Sequence, residues 1–216
     1  MVWDIFVTTL KIFWRRMGVL LLANILWLGL SLLIVPWPAA TVGLFYLVRR
    51  VVAEELENDP DAATLRDFWV GVRRYWQRGS IIAVLDLLAA VVIGTALVFY
   101  WQSDVEMLRW LVGPILLIGI AWAGTQLYLF PLLLQREEQP PLAVAREAFL
   151  MAISYPLVTY SLLLTLGVIS MAVVILAGPI LLVFFAFVAV LQTVLLRDTR
   201  IRRGEIIVPH EQRRRR

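Results

Sequence analysis

The chain contains no cysteine and only one histidine, His210, which lies in a polar tail. The absence of cysteine excludes disulfides, thiolate metal sites and cysteine nucleophiles. A single histidine outside the apolar part provides neither a histidine-based triad nor a zinc site there. The H-E-x-x-H, G-x-x-x-x-G-K and G-x-S-x-G motifs are also missing. We therefore expect a protein that is not an enzyme and needs neither a metal nor a cofactor.

Charge is missing from long stretches of the chain. Residues 17–48, 110–134 and 148–196 carry no Asp, Glu, Lys or Arg, and residues 79–103 carry only Asp86. The hydrophobic fraction is 61%, above the roughly 45–50% of soluble domains. Because a membrane-crossing helix needs about 20 apolar residues, these runs predict an integral membrane protein. The net charge of +4 is then explained by the orientation of the protein in the membrane and by contact with anionic lipid headgroups, and not by nucleic-acid binding.

The runs predict an all-α, polytopic membrane helical bundle of six spans over residues 1–197, followed by a basic tail, 198–216. The run 148–196 holds two spans because Gly178-Pro179 interrupts it. The second helix, about 39–56, is the difficult one, since few uncharged residues precede Arg49. Either its arginines snorkel to the headgroups or the bundle shields the helix.

The arginines indicate the orientation of the bundle. Six crossings place nearly every basic residue on one side, which is the bias of cytoplasmic loops. Both termini are therefore expected in the cytoplasm, without a cleaved signal peptide. The arginine tail is expected to contact anionic lipid headgroups.

Three amphipathic segments, about 2–16, 62–78 and 141–150, are predicted to lie in the membrane interface. Residues 6–24 align without gaps with residues 68–86, and a weaker third copy begins near Arg146. The pattern predicts three parallel repeats, each an interfacial helix followed by a helical hairpin. Chance similarity between tryptophan- and arginine-rich helices is the alternative. The middle segment provides a candidate partner surface of Phe68, Trp69, Arg73, Arg74 and Trp76.

Asp86 is the only formal charge within a clear span, and Asn24 occupies the equivalent position of the first repeat. Together with Arg49 and Arg50 they form the candidate intramembrane polar site. Alternatively, Asp86 is hydrated or paired with Arg78, and the arginine pair marks a membrane boundary. Other polar residues in the runs are also candidates, although we expect most of them to join helices: Gln126, Gln192, Ser161, Thr165 and Ser170.

Several short motifs lie in residues 10–85. They are Asn24-Ile25-Leu26-Trp27, then Pro36, then Ala39-Ala40-Thr41-Val42-Gly43-Leu44-Phe45-Tyr46, Arg49-Arg50 and Asp67-Phe68-Trp69. In this order they resemble the YesL-like family of bacterial membrane proteins, whose domain has no known function. Two departures mark a divergent member: Tyr75 stands where the family usually has Asn, and the proline break is Pro36-Trp37-Pro38.

The resemblance implies a bacterial inner-membrane protein, and genes of that family often lie beside carbohydrate uptake transporters. It supplies no catalytic residues. The first expectation is a non-enzymatic accessory protein that contacts transporter permease subunits or a second copy of itself. The alternative is a small-solute transporter or channel with a polar site near Asn24 and Asp86.

Overall fold

The computed structural model describes residues 2–33, 36–57, 59–176 and 181–206, and within these ranges it is helical and contains no strand. The all-α prediction is confirmed for this part of the chain. The elements, in order, are α1 Val2–Arg15, α2 Met17–Ser31, α3 Trp37–Glu57, α4 Leu65–Trp101, α5 Glu106–Arg109, α6 Val112–Gln135, α7 Pro141–Ser154, α8 Pro156–Leu176 and α9 Leu181–Arg202. The predicted break at Gly178-Pro179, His210 and residues 207–216 of the tail lie outside the described residues.

Two helical segments of the described chain are long and apolar enough to cross a membrane, namely Leu65–Trp101 and Glu106–Gln135. The pair α7 and α8 counts as a third only if it is one broken span, and its two helices meet at 98°. The helix α2 is apolar but shorter. These segments indicate association with a membrane, as the hydropathy predicts.

The helix α4 differs from the prediction. A separate interfacial helix over 62–78 was expected, but a single helix of 37 residues runs from Leu65 to Trp101. It begins where the Asp67 carboxylate accepts a hydrogen bond from the Thr64 backbone N–H at 2.8 Å. The helix contains no proline, so nothing interrupts its backbone hydrogen bonds near Arg78.

The third amphipathic segment does end before a second helix. The helix α7 stops at Ser154, a few residues beyond the predicted end, and Pro156 begins α8. Tyr155 between them leaves the helical region, with φ −127° and ψ 60°, because a proline disfavours helical geometry in the preceding residue. The first of the two spans predicted within residues 148–196 therefore contains a bend near its start.

The helices contact one another in a cyclic order. The helices α3, α6 and α9 touch each other at the centre. Each of these three helices also packs along the next amphipathic segment of the chain: α3 packs on α4, and α6 packs on α7. The last of them, α9, packs on α1 and so closes the order. The helices α2, α4 and α8 lie further out, against α9, α3 and α6 respectively.

The contact between α3 and α4 is the most extensive in the described chain, and it depends on small residues. A Cβ atom on Gly71 would lie 2.6 Å from the Tyr46 Cβ and 3.0 Å from the Gly43 Cα. A Cβ atom on Gly43 would lie 2.8 Å from the backbone oxygen of Phe68. The two backbones approach closely because neither glycine carries a side chain.

Candidate functional site

A cavity of about 220 Å³ opens among α2, α3, α4, α6 and α9, and we call it the central cavity. Its walls carry five aromatic side chains: Trp27, Trp37, Phe45, Phe130 and Phe185. Four polar side chains also line it: Thr41, Asp86, Gln126 and Gln192. Among the described residues that line it, the cavity therefore contains one carboxylate and no basic residue.

Asp86 is held by α6. The Trp122 Nε1–H donates to its Oδ1 at 2.9 Å, and the Gln126 amide donates to the same oxygen. The two donors lie four residues apart, on one face of α6. The predicted pairing of Asp86 with Arg78 is not present, because Arg78 instead donates to backbone carbonyls at the end of α6.

Asn24 joins two helices and does not line the central cavity. Its side chain is fully buried, and its Oδ1 accepts the backbone N–H of Ala186 in α9 at 2.9 Å. The structure therefore gives Asn24 the packing role that is usual for amides in membrane helices. The residues brought together with Asp86 are Gln126 and Gln192.

Gln192 and Thr41 complete the polar lining. The Gln192 side chain is 9% exposed, and its Oε1 is buried without a hydrogen-bond partner in the described chain. Thr41 is occupied, because it accepts from Trp27 Nε1–H at 3.0 Å and donates to the Trp37 backbone oxygen at 2.9 Å. Burying an unsatisfied amide oxygen is costly, and the Gln192 Oε1 is enclosed by the protein rather than open to the cavity.

Arg49 and Arg50 lie away from the central cavity. Arg49 donates to the backbone oxygen of Leu134 and stacks 5.5 Å from the Tyr46 ring centroid. Arg50 pairs with Asp59 at 2.7 Å. The structure thus places both arginines with partners at one end of the bundle.

Several charged side chains meet at the C-terminal end of α6. Glu137 accepts from Arg74 at 2.7 Å and from the Tyr75 hydroxyl, while Arg78 binds the Arg136 carbonyl at 2.9 Å. Cations at this end satisfy free carbonyls and complement the helix dipole. The Tyr75 hydrogen bond and the charges of Arg74 and Arg49 outweigh burial and hold the pKa of Glu137 below its ordinary value of 4.5.

The candidate partner surface is divided by the structure. Phe68 is fully buried in the core, and Arg74 is engaged by Glu137. Trp69, Arg73 and Trp76 are exposed, and their spacing places them on one helix face. We call these three residues the α4 aromatic face.

The remaining polar candidates bond within their own helix. Thr165 donates to the Ser161 carbonyl at 2.8 Å, and Ser170 donates to the Leu166 carbonyl at 2.7 Å. Within the described residues, no group of three His, Cys, Asp or Glu side chains is placed to hold a metal ion.

The sequence contains a pattern that indicates the central cavity and that our predictions did not include. Trp37-x₃-Thr41-x₃-Phe45 in α3 recurs as Trp122-x₃-Gln126-x₃-Phe130 in α6. The rings of Phe45 and Phe130 stack with centroids 5.3 Å apart. The recurrence therefore identifies matching faces of two inner helices, and five of its six residues line the central cavity.

A family model described as "Protein of unknown function, DUF624" matches residues 20–98. No curated protein and no solved structure matches the chain. The matched region contains Asn24, Arg49, Arg50 and Asp86, and it overlaps the region of the resemblance described above. Over these residues the chain is similar to a family of uncharacterised domains, which supplies neither a ligand nor a reaction.

Proposed function

We propose that this chain is a non-enzymatic, multi-pass membrane protein that binds a small solute in the central cavity, as a carrier or channel does. The observation that carries the proposal is Asp86, a carboxylate that faces this cavity from a helix long and apolar enough to cross a membrane. An ionisable group at the centre of a span costs roughly 2.5–3.5 kcal/mol on insertion scales. Such residues usually serve a solute or proton pathway.

The size and lining of the central cavity support a small solute. At roughly 30 Å³ for each water molecule, a volume of about 220 Å³ accommodates about seven waters or a solute of a few heavy atoms. Aromatic walls with a few polar groups are typical of small-molecule sites. Among the lining residues that the structure describes, no nucleophile has an adjacent base, which favours binding over catalysis.

The cyclic packing supports the six-span arrangement in three units. Each unit would comprise an amphipathic segment, an outer helix and an inner helix, with α3, α6 and α9 around a common axis. The helices α3 and α9 have 21 and 22 residues. Charged residues begin at Arg49 in α3 and at Arg197 in α9, so the last turns of both helices would lie among the headgroups if the helices cross. The arginine bias supports cytoplasmic termini, and the resemblance supports a bacterial inner membrane.

The chain lacks cysteine, so a single introduced thiol can test access to the cavity. Ala83 lines the central cavity, whereas its neighbour Val84 is strongly exposed on the outer surface of α4. We expect Ala83→Cys in lipid nanodiscs to react with the neutral reagent iodoacetamide at least roughly tenfold faster than Val84→Cys, because only a hydrated thiol ionises. Equal, slow reaction of both thiols would contradict a solute-accessible cavity.

The accessory role beside a carbohydrate uptake system remains a second candidate. The α4 aromatic face favours it, because exposed Trp69 and Trp76 flank the cation of Arg73. Tryptophan and arginine are enriched in binding hot spots. Transporter permease subunits or a second copy of the chain are the proposed partners, and anionic lipid headgroups would contact the same basic surface.

Affinity capture from the native membrane tests this role. We expect permease subunits to be recovered with the wild-type chain and lost with Trp69→Ala/Trp76→Ala. The matched control is Trp101→Ala/Trp110→Ala. It removes two exposed tryptophans, one at the C-terminal end of α4 and one directly after α5. Recovery of the chain alone, or equal losses for both double variants, would contradict a partner surface on α4.

A further inference from the structure

The hydrogen bonds of the central cavity leave it with acceptors and few donors. Trp122 and Gln126 both donate to Asp86 Oδ1, and Trp27 donates to Thr41. The Thr41 hydroxyl in turn donates to a backbone carbonyl. These donors are therefore used within the protein and are not offered to a ligand.

One acceptor of the central cavity remains free. Asp86 has a second carboxylate oxygen, since both of its side-chain hydrogen bonds use Oδ1. The Gln192 Oε1 also has no partner in the described residues, but it is enclosed by the protein and is not open to the cavity. A ligand that satisfies the free Asp86 oxygen must bring an N–H or O–H donor of its own.

The charge of the site selects among such ligands. Asp86 forms no ion pair within the described chain, and no Lys, Arg or His lines the central cavity. A carboxylate in a low-dielectric site is stabilised by a positive ligand. Trp27 and Phe185, whose ring centroids lie 4.2 Å apart, and the stacked Phe45 and Phe130 add π-surfaces that attract cations.

We propose that the ligand of the central cavity is a small organic ammonium ion that carries N–H donors. Its nitrogen would donate to the free oxygen of Asp86, while its carbon chain lies against the aromatic walls. A metal cation fits the site less well because the aromatic walls provide no oxygen ligands. This inference rests on the proposed solute-binding function and specifies the chemical class of the solute.

Protection of the Ala83→Cys thiol tests the inference with three probes of similar size and different charge. These are propylammonium, 1-propanol and propionate at equal millimolar concentrations, with iodoacetamide as the reagent and the protein in nanodiscs. We expect propylammonium alone to slow alkylation, by about tenfold at saturation, since a bound ligand would shield the thiol. Adding Asp86→Asn should abolish that protection, whereas Glu138→Gln, an exposed carboxylate outside the cavity, should leave it intact.

The outcomes separate this inference from the proposed function. If alkylation is fast and all three probes protect equally, the ammonium site is overturned while the cavity remains solute-accessible. The same conclusion follows if protection by propylammonium survives Asp86→Asn. Protection by 1-propanol alone would identify a neutral ligand and would also overturn it. Slow alkylation of Ala83→Cys without any probe would instead contradict the proposed function itself.

Discussion

At the scale of single residues, Glu137 provides the clearest electrostatic case. Its carboxylate accepts from Arg74 at 2.7 Å and from the Tyr75 hydroxyl, just beyond the end of α6. These contacts lower the pKa of Glu137 below 4.5. A lowered pKa means that the folded state favours the ionised form, so the stabilisation is complete above pH 4.5 and is lost as the pH falls through the folded-state pKa.

We therefore predict that Glu137→Gln reduces the stability of the detergent-solubilised protein at pH 6.5 and has little effect near pH 3. The loss at pH 6.5 should be at most about 1 kcal/mol, because water screens this partly exposed ion pair. Thermal unfolding of both proteins across this pH range measures the difference. The control is Glu138→Gln, which changes an exposed neighbouring carboxylate. A Glu137→Gln difference that stays constant across this pH range would contradict the assignment.

The candidate polar site also shows which of its features could be predicted from single residues and which could not. Asp86, Gln126 and Gln192 could be selected from the sequence because polar residues are rare in these apolar runs. Their meeting in one cavity could not be predicted, because it depends on the rotation of three helices about their axes. Asn24 shared the same signal but faces α9, and only packing distinguishes the two roles.

At the scale of elements, the close contact of α3 with α4 depends on Gly71. A Cβ atom there would clash with the Tyr46 Cβ and approach the Gly43 backbone. We predict that Gly71→Ala destabilises the protein by about 1–3 kcal/mol, because the two helices must separate. Unfolding in mild detergent, followed by circular dichroism, measures the change.

Gly94 in the same helix provides the matched control. A Cβ atom on Gly94 would meet nothing within 4 Å, so Gly94→Ala should be neutral or stabilising by up to about 1 kcal/mol through helix propensity. Similar effects of the two substitutions would show that these glycines affect stability through helix propensity alone, and would contradict the close packing of α3 with α4. Loss of stability in Gly71→Ala alone would establish the close packing.

Helix ends were predictable where proline determines them and less so elsewhere. Pro156 divides α7 from α8, as its backbone chemistry requires. The change from amphipathic to apolar sequence near Arg78 predicted a helix boundary, but α4 continues through it. A change in polarity marks where a helix meets the membrane surface and does not itself break backbone hydrogen bonds.

At the scale of the whole molecule, the cyclic order of contacts connects the repeat to the cavity. The inner helices α3, α6 and α9 each present a side chain to the central cavity, among them Thr41, Gln126 and Gln192. The predicted repeat would place such a site at the interface of its units, where transporters built from repeats bind their substrates. The sequence repeat between residues 6–24 and 68–86 suggested the units, whereas the closure of α9 onto α1 is a long-range contact that no local pattern encodes.

The six-span topology makes a sharp prediction at the connection between α2 and α3. The helix α2 has 15 residues, about 22 Å at ~1.5 Å per residue, which is short for a 30 Å core. If it crosses with local bilayer thinning, the exposed Leu33 reaches the outer surface. A membrane-impermeant maleimide should then label Leu33→Cys and Met107→Cys in right-side-out membrane vesicles, and should label Asp61→Cys only after permeabilisation. The opposite result is that Leu33→Cys is labelled only after permeabilisation while Met107→Cys is still labelled from outside. It would show that α2 and α3 form a re-entrant hairpin, and the bundle would then have four crossings instead of six.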